Sequence, residues 1–390
     1  MLSELINHSD DLRRLRDAGY ALRLHKGYLV VDQIPYVTEQ RAVARGSLVS
    51  KLNIVGNQTA KPDKHEMHFV GSYPCHADGS RMTELVHQET PTDLGDGLVA
   101  PLSFSRKPDR DYYLDYFEKV TAYEALLTSQ AVQIEDVTAR VFGVEEVEDE
   151  NYPFLYIDTS SARSDINPLS EKLALSSVAI VGLGGTGSFV LDLVAKTFVR
   201  EIRLIDGDTL ANHNVFRAPG AVTLEELKQQ PNKAEYFAGV YSKMRRRVVA
   251  FPEHLGPHNV NLLDGVDFAF LCFDPSPEKK IAVDALERAG TPFIDVGMGI
   301  VRGSESLSGV LSVTLSEYGR REEARSYMAF ESLDEDDPYD TNIQVGDLNS
   351  LNAALAVVRW KKFYGFYGDT EKERNSTYSI VCNMLEDDIE

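Results

Sequence analysis

The chain has 390 residues, of which 43% are hydrophobic and 26% charged, and its formal net charge is −21. This charge argues against nucleic acid as the main partner, because phosphate binding needs a local surplus of Lys and Arg. The sequence contains no stretch of about eighteen apolar residues, so no membrane span is predicted. The first residues lack the basic region and apolar core of a secretory signal. Three widely spaced cysteines form no C-x-x-C pair and favour a reducing cytoplasm.

The N-terminal third of the chain predicts a smaller α+β domain. Short strand-like runs, such as Tyr28–Asp32, are broken by Pro and Gly. Tyr and Leu recur at three-and-four spacing from Asp111 to Leu127, which predicts a helix. The acidic segment Glu145–Asn151 is a plausible boundary, so we expect domains at 1–145 and 146–390.

From about Ser176 onward, apolar strands alternate with helices, which predicts an α/β fold with a mostly parallel sheet. The predicted strands are Ser177–Leu183, Glu201–Asp206, Asp267–Phe273, Pro292–Val296 and Gly309–Leu315. Helices are expected after the first three strands, and a last amphipathic helix from about Leu348 to Phe363 includes the only Trp. The basic run Lys243–Arg247 lies in a helical pattern and is interpreted as a solvated face.

A glycine-rich loop joins the first of these strands to a helix. Its glycines are Gly182, Gly184, Gly185 and Gly187. In such loops one glycine forms the tight turn, one lets phosphate oxygens approach the backbone, and one lets the helix pack on the strand. The N-terminal amides and dipole of the helix then favour negative charge. This strand–loop–helix context predicts nucleotide binding.

The second strand ends in Asp206, about 20 residues after the glycines, a spacing typical of a carboxylate that accepts hydrogen bonds from ribose hydroxyls. An NAD-dependent dehydrogenase remains possible at this point. Four polar residues follow, namely Asp208, Asn214, Arg217 and Lys233. Hydride transfer does not require Asn, Arg and Lys there, whereas displacement of pyrophosphate requires cations that neutralise charge on the β- and γ-phosphates.

The third strand places Asp274 at its C-terminal end, the edge at which open α/β sheets bind ligands. A carboxylate at this edge can hold Mg²⁺ together with phosphate oxygens. Taken singly, each of these polar residues is more often a surface charge or a cap. Their order along the chain and their places on these elements favour ATP·Mg²⁺ as the ligand.

This set of residues resembles the ubiquitin-activating superfamily, which includes the adenylyltransferases of thiamine and molybdopterin biosynthesis. The resemblance covers roughly residues 150–365. It implies a Rossmann-like adenylation domain with assigned contacts: ribose by Asp206, phosphates by Asn214, Arg217 and Lys233, and Mg²⁺ by Asp274. The usual Gln after the family's arginine is replaced here by Ala218.

The same resemblance implies an arginine upstream of the first strand, often across a dimer interface, and Arg163 is the candidate. It implies a homodimer that makes an acyl-adenylate on the C-terminal carboxylate of a ubiquitin-like or sulfur-carrier protein. The whole chain resembles the activating enzymes encoded beside bacterial ubiquitin-like proteins. We expect the N-terminal domain to recruit the carrier or a downstream conjugating enzyme.

One family feature is missing: no cysteine lies between Cys272 and Cys382, where relatives usually carry a thioester-forming thiol. Cys272 is expected to pack as a small hydrophobic residue, and Cys75 is the best remaining thiol candidate. The crossover-loop region offers hydroxyls instead, on Ser326, Tyr327, Ser332, Tyr339 and Thr341. The enzyme therefore either hands the adenylate directly to a partner or forms an oxyester.

Two other functions share part of this pattern. A dinucleotide-dependent oxidoreductase would use the glycine loop and Asp206 but would leave Arg217, Lys233 and Asp274 unexplained. A degenerate adenylation fold could serve as a non-catalytic scaffold, although the retention of the motif residues argues against it.

Overall fold

The computed structural model describes residues 2–142, 151–330 and 343–387. The chain forms two compact units, one from Met1–Glu150 with Tyr156–Glu171 and one from Asn151–Leu155 with Lys172–Glu390. The predicted boundary near residue 145 lies outside the described residues. No helix within the described ranges is both long and apolar enough to cross a membrane.

The N-terminal unit contains an antiparallel sheet of six strands in the order β1-β2-β3-β6-β10-β7. Its strands are β1 (Ala21–His25), β2 (Tyr28–Val37), β3 (Val43–Lys51), β4 (Ile54–Val55), β5 (Gln58–Thr59), β6 (Met67–Val70), β7 (Val86–Gln88), β8 (Thr92–Asp93), β9 (Val99–Ala100) and β10 (Leu102–Phe104). Its helices are α1 (Leu2–His8), α2 (Asp10–Asp17), α3 (Tyr116–Ala131), α4 (Ser160–Arg163) and α5 (Asn167–Glu171).

Helix α3 supplies much of the core of this unit. Tyr116, Val120, Tyr123 and Leu127 are buried at three- and four-residue spacing, which places them on one face of the helix. The helix begins at Tyr116 because the carboxylate of Asp115 accepts a hydrogen bond from the amide of Glu118 at 2.7 Å, an N-cap. The predicted helix is therefore confirmed, with its start moved to this cap.

The C-terminal unit contains a mixed sheet of eight strands. Its strands are β11 (Ser177–Val181), β12 (Glu201–Ile205), β13 (Val248–Phe251), β14 (Phe268–Leu271), β15 (Phe293–Arg302), β16 (Leu307–Ser316), β17 (Asn375–Ser379) and β18 (Met384–Asp387). Its helices are α6 (Gly185–Val194), α7 (Asn212–Val215), α8 (Leu224–Lys228), α9 (Lys233–Tyr241), α10 (Pro277–Ala289), α11 (Arg321–Ser326) and α12 (Gly346–Phe363), with a 3₁₀ turn at Val260–Leu263.

The strand order is β13-β12-β11-β14-β15-β16-β17-β18. The five strands from β13 to β15 pair in parallel, and the pairs from β15 to β18 are antiparallel. The predicted α/β fold with a mostly parallel sheet is thus confirmed, as are all five predicted strands. Strands β13, β17 and β18 were not predicted.

The order of the parallel strands creates a crevice. From the central strand β11 the chain moves to β12 and β13 on one side, and then crosses to β14 on the other side of β11. Connections that leave a strand in opposite directions open a gap at the carboxyl edge of the sheet, where ligands of such folds bind. Helix α6 follows β11 at this gap, and helix α12 packs against α6 with Trp360 buried in the core.

Candidate functional site

The loop after β11 has the geometry that its glycines predict. Gly182 has a φ of +86°, a left-handed conformation that favours glycine. A Cβ atom at Gly182 would lie 2.6 Å from the carbonyl oxygen of Cys272, and a Cβ atom at Gly187 would overlap the carbonyl oxygen of Gly182. Side chains at these two positions are therefore excluded by the fold itself.

Gly184 differs from its neighbours because open space lies in front of it. It is the N-cap of α6, no side chain caps the helix there, and a Cβ atom would meet no atom within 4 Å. The first amides of a helix lack intrahelical partners and attract anions. The loop is thus a cradle that fits a phosphate group, and a side chain at Gly184 would fill it.

The start of α12 connects this cradle to Arg217. Asn349 of α12 is fully buried, accepts a hydrogen bond from the Thr186 hydroxyl at 2.8 Å and lies against Gly185. A Cβ atom at Gly346, the first residue of α12, would lie 3.6 Å from the Cα atom of Arg217. The Nε atom of Arg217 is buried and has no hydrogen-bond partner among the described residues, so the guanidinium is suited to an anionic ligand.

Asp206 and Asp208 lie at the carboxyl end of β12. The carboxylate of Asp206 accepts hydrogen bonds from the amides of Leu183, at 2.6 Å, and Asp208, at 2.8 Å, and so ties the glycine loop to the next strand. Lys233, the first residue of α9, is buried and its Nζ lies 2.6 Å from Asp208 Oδ2. The hydrogen bond from Lys233 lowers the pKa of Asp208. An ammonium carries three donors, so this pair still allows Lys233 to contact a phosphate.

Asn214 is buried in the short helix α7, where its Oδ1 atom accepts a hydrogen bond from the amide of Ala211 at 2.9 Å. This contact fixes the turn between β12 and Arg217. The side-chain nitrogen of Asn214, Nδ2, carries two donors and takes no part in that bond. The predicted phosphate contact would therefore have to come from this nitrogen.

Asp274 follows β14 directly beside the glycine loop. Its neighbour Phe273 would contact a Cβ atom at Gly182 at 3.0 Å, which places the end of β14 against the turn. Across the described ranges, no group of three or more His, Cys, Asp or Glu side chains is arranged to hold a metal ion. Magnesium bound by one carboxylate and by phosphate oxygens does not require such a group, so the role of Asp274 stays a prediction.

A cavity of about 530 Å³ lies at this edge of the sheet. It is lined by the predicted site residues Gly182, Asp206 and Asp208 and by apolar side chains that include Ile205 and Phe273. A pocket with apolar walls and a few polar groups is typical of small-molecule sites. The carboxyl ends of four adjacent strands contribute to it.

Several lining residues were missed by the sequence analysis. His254 and His258 come from the loop after β13, and Ser276 and Glu278 come from the start of α10. The partly buried side chain of the N-cap residue Asn232 was also missed, although it donates to the carbonyl oxygens of Asp206 and Asp208. An N-cap asparagine before Lys233 was the one available signal.

Arg163 lies in the N-terminal unit, at the end of α4. Its Nη2 atom is 3.3 Å from Asp63 Oδ2. A place for Arg163 over the phosphates remains a prediction.

The nucleophile candidates have different environments. Cys75 is buried, and burial raises the pKa of its thiol, which favours a structural role over that of a nucleophile. Burial also raises the pKa of Cys272, which packs against the core as predicted. The Ser326 hydroxyl donates to the carbonyl of Glu323 at 2.7 Å, and Tyr327 is partly exposed. Ser332, Tyr339 and Thr341 lie outside the described residues.

Comparison with known proteins places these observations in a family. A sequence model described as ThiF family matches residues 161–355, half of the chain, and one described as a domain of unknown function (DUF6791) matches residues 10–159. The adenylyltransferase and sulfurtransferase MOCS3 is 29% identical over 126 residues in Mus musculus and 28% identical over 126 residues in Xenopus laevis. Each alignment covers 32% of this chain and 27% of the relative, so the chain spans about a quarter of the length of these relatives.

Two solved structures are similar to this chain at low identity. The crystal structure of E. coli MccB with ATP is 16% identical, with a TM-score of 0.43, and the alignment covers 78% of this chain and 95% of that chain. The crystal structure of selenomethionine PaaA is 19% identical, with a TM-score of 0.44, over 57% of this chain and 75% of that chain. The match over half of its length shows that the chain belongs to the ThiF family, which confirms the superfamily predicted from the glycine loop and the polar residues that follow it.

Proposed function

We propose that this chain is an adenylyltransferase that uses ATP·Mg²⁺ to activate the C-terminal carboxylate of a ubiquitin-like or sulfur-carrier protein. The observation that carries the proposal is the open cradle at Gly184. It ends a loop whose Gly182 lines a cavity together with Asp206 and Asp208, and Asp208 is paired with Lys233. Family membership supports it, as does the adenylyltransferase activity in the name of the MOCS3 relatives.

The reaction makes one bond and breaks one. A carboxylate oxygen of the carrier attacks the α-phosphorus of ATP, the bond from that phosphorus to the oxygen bridging to the β-phosphate breaks, and pyrophosphate leaves. The α6 amides and Arg217 hold phosphate oxygens, and Lys233 stabilises the charge that grows on the leaving group. The carboxylate of Asp206 accepts hydrogen bonds from the ribose hydroxyls. Asn214 contributes its amide nitrogen to a phosphate.

Magnesium, when bound with ATP, would neutralise phosphate charge, and Asp274 would hold it. Asp274 follows β14 and is the neighbour of Phe273, which lies against the turn at Gly182.

We propose a homodimer in which Arg163 completes the site of the partner subunit, within a bacterial ubiquitin-like conjugation system in the cytoplasm. The adenylate passes directly to a partner. The lack of a cysteine between Cys272 and Cys382 and the burial of Cys75, which raises the pKa of its thiol, support this route. The N-terminal unit recruits the carrier or a conjugating enzyme. Intact mass spectrometry after incubation with ATP and a carrier distinguishes direct transfer from a covalent ester, and light scattering during gel filtration reports the dimer.

The central test is carrier-dependent exchange of labelled pyrophosphate into ATP. We expect exchange with the cognate carrier and a decrease on the order of a hundredfold in the Asp274→Ala variant, the size of effect seen when one charge-stabilising group is removed. Asp264→Ala is the matched control, because Asp264 is exposed and lies on the same unit. Exchange that is absent with every candidate carrier, or unchanged in Asp274→Ala, contradicts the proposal. Thermal stabilisation by NAD(H) but not by ATP·Mg²⁺ would favour an oxidoreductase, and no nucleotide binding would favour a scaffold.

A further inference from the structure

One wall of the cavity is a loop that contains none of the predicted site residues. The loop follows β13, and five consecutive residues line the cavity: His254, Leu255, Gly256, Pro257 and His258. Ordering a flexible loop when a ligand binds costs conformational entropy. A loop that is already fixed avoids this cost and binds the ligand more tightly. What fixes this loop is therefore relevant to nucleotide affinity.

The side chain of Asn259 binds the loop at three points. Its Oδ1 atom accepts a hydrogen bond from the amide of Gly256 at 2.7 Å, and its Nδ2 atom donates to Glu253 Oε2 at 2.7 Å and to the carbonyl of His254 at 3.0 Å. Asn259 is only 7% exposed. This arrangement uses the oxygen as acceptor and both N–H groups as donors, and only an amide of this size and orientation satisfies all three.

The loop held in this way packs against the turn that carries the acidic site residues. A Cβ atom at Gly207 would lie 2.5 Å from His254 Cδ2 and 2.7 Å from the His254 amide nitrogen, so the two segments are in close contact. The imidazole Nε2 of His254 is 3.7 Å from Asp208 Oδ1. Movement of the loop would therefore change the width of the cavity beside Asp206 and Asp208.

We infer that Asn259 is a positioning residue that preforms the nucleotide-binding cavity. It touches no substrate, and it acts through the loop that it holds. The inference rests on the proposed function, since it takes ATP to be the occupant of the cavity. A loop released from Asn259 would populate several conformations, and the apparent affinity for ATP falls in proportion to the fraction that is competent to bind.

The test measures ATP·Mg²⁺ affinity by calorimetry, and KM and kcat by pyrophosphate exchange, with the full chain. We expect Asn259→Ala to raise the Kd and KM for ATP by about tenfold, the factor that corresponds to 1.4 kcal/mol of lost hydrogen bonding. The kcat should stay near that of the unchanged chain, because the residues that meet the phosphates remain in place. Asn261→Ala is the matched control, since Asn261 is exposed in the turn that follows.

A rescue experiment separates loop positioning from a general loss of stability. Asn259→Asp keeps the acceptor for the Gly256 amide but removes both donors and brings a second carboxylate to Glu253. Adding Glu253→Gln to this variant restores a hydrogen bond of reversed polarity and removes the repulsion. We expect Asn259→Asp to have the highest KM for ATP, and the double variant to recover part of the loss.

Each outcome bears on a stated claim. If the unchanged chain binds ATP and the Asn259 variants bind it equally well, this inference is wrong while the proposed function stands. If the unchanged chain binds no ATP, both are overturned together. If Asn259→Ala does not fold, Glu253→Ala removes one of the three contacts together with the 3.7 Å pairing of Glu253 with His258, and an unchanged KM in that variant contradicts the inference.

Discussion

Both units bury lysines close to the start of a helix, and two of these, Lys119 and Lys233, have different surroundings. In the N-terminal unit, Lys119 is 2% exposed, and its ammonium donates to the hydroxyl of Ser50 and to the carbonyl of Lys64, both of them neutral. In the C-terminal unit, Lys233 is 6% exposed and pairs with Asp208 at the edge of a cavity. Burial of a charge alone therefore does not mark a site.

The two sheets explain the difference. In the antiparallel sheet the polar group of Lys119 joins a helix to a strand inside the core, and it serves the packing of the unit. In the parallel part of the other sheet, neighbouring strands end at one edge, so polar residues that follow β11, β12 and β14 are brought together without being close in sequence. Parallel strands bring functional side chains together at one edge of the sheet, whereas antiparallel strands end at both edges.

Substitutions in the glycine loop should have the largest effect. Gly187→Ala places a methyl group against the carbonyl of Gly182, so we expect the free energy of unfolding of the C-terminal unit to fall by about 1–3 kcal/mol and ATP binding to be lost. Gly184→Ala meets open space and should cost about 0.5–1 kcal/mol, because Ala is a poorer N-cap residue than Gly, yet it should weaken ATP binding. Fluorescence of Trp360, the only tryptophan, reports unfolding of this unit. Equal loss of stability in both variants would contradict the division between packing and ligand-facing glycines.

The second prediction concerns Lys119. Burial lowers the pKa of this lysine to about 7 from the model-peptide value of 10.5. Because the unfolded chain binds more protons between these values, stability of the N-terminal unit should rise with pH from about 7 to 10, by up to about 1.4 kcal/mol per pH unit. Below pH 7 the full cost of charging the buried amine is present.

We expect Lys119→Met to flatten this pH dependence, measured as urea unfolding at several pH values with hydrogen exchange of peptides from α3 and β3. Lys107→Met, at an exposed lysine of the same unit, should keep the slope. An unchanged slope in Lys119→Met would show that another group controls it.

The smallest expected effect is at Asp208. The hydrogen bond from Lys233 depresses the pKa of this carboxylate, so its contribution to stability is present above the unfolded pKa and is lost as the pH falls through the folded value. The side chain of Asp208 is 56% exposed, and solvent screening should keep the cost of Asp208→Asn below about 1 kcal/mol at pH 7. The difference from the unchanged chain should vanish in acid, as followed by Trp360 fluorescence, whereas Asp264→Asn should show no difference at either pH.

Part of the fold followed from local sequence and part did not. The strands β11, β12, β14, β15 and β16 are apolar runs bounded by turn signals, and these were predicted. Strand β17 is Asn375–Ser379, a polar segment whose pairing with β16 includes a hydrogen bond from Thr314 Oγ1 to Asn375 Oδ1 at 2.9 Å. Such a strand is defined by its partner, so its own composition gives no signal.

The basic run Lys243–Arg247 shows the same limit. It was interpreted as a solvated face, and for Arg245 this is wrong: its guanidinium is buried and donates to the carbonyls of Ala195, Thr197 and Val199 after the end of α6. A cation placed there compensates the negative end of the helix whose other end forms the phosphate cradle. The motif residues were predictable by spacing, but the cavity wall around Asn259 depended on strand order, which is a long-range property.

The short segment Asn151–Leu155 has a practical consequence for dissecting the molecule. It belongs to the C-terminal unit, where Phe154 packs on Phe198 and the amide of Leu155 donates to Met244, while Tyr156–Glu171 returns to the N-terminal unit. A proteolytic cut near residue 145 would separate Tyr156–Glu171 from the rest of the N-terminal unit. A cut after Glu171 would separate Asn151–Leu155 from the rest of the C-terminal unit. No single scission yields two complete halves, so truncated fragments should be less stable than the units within the intact polypeptide.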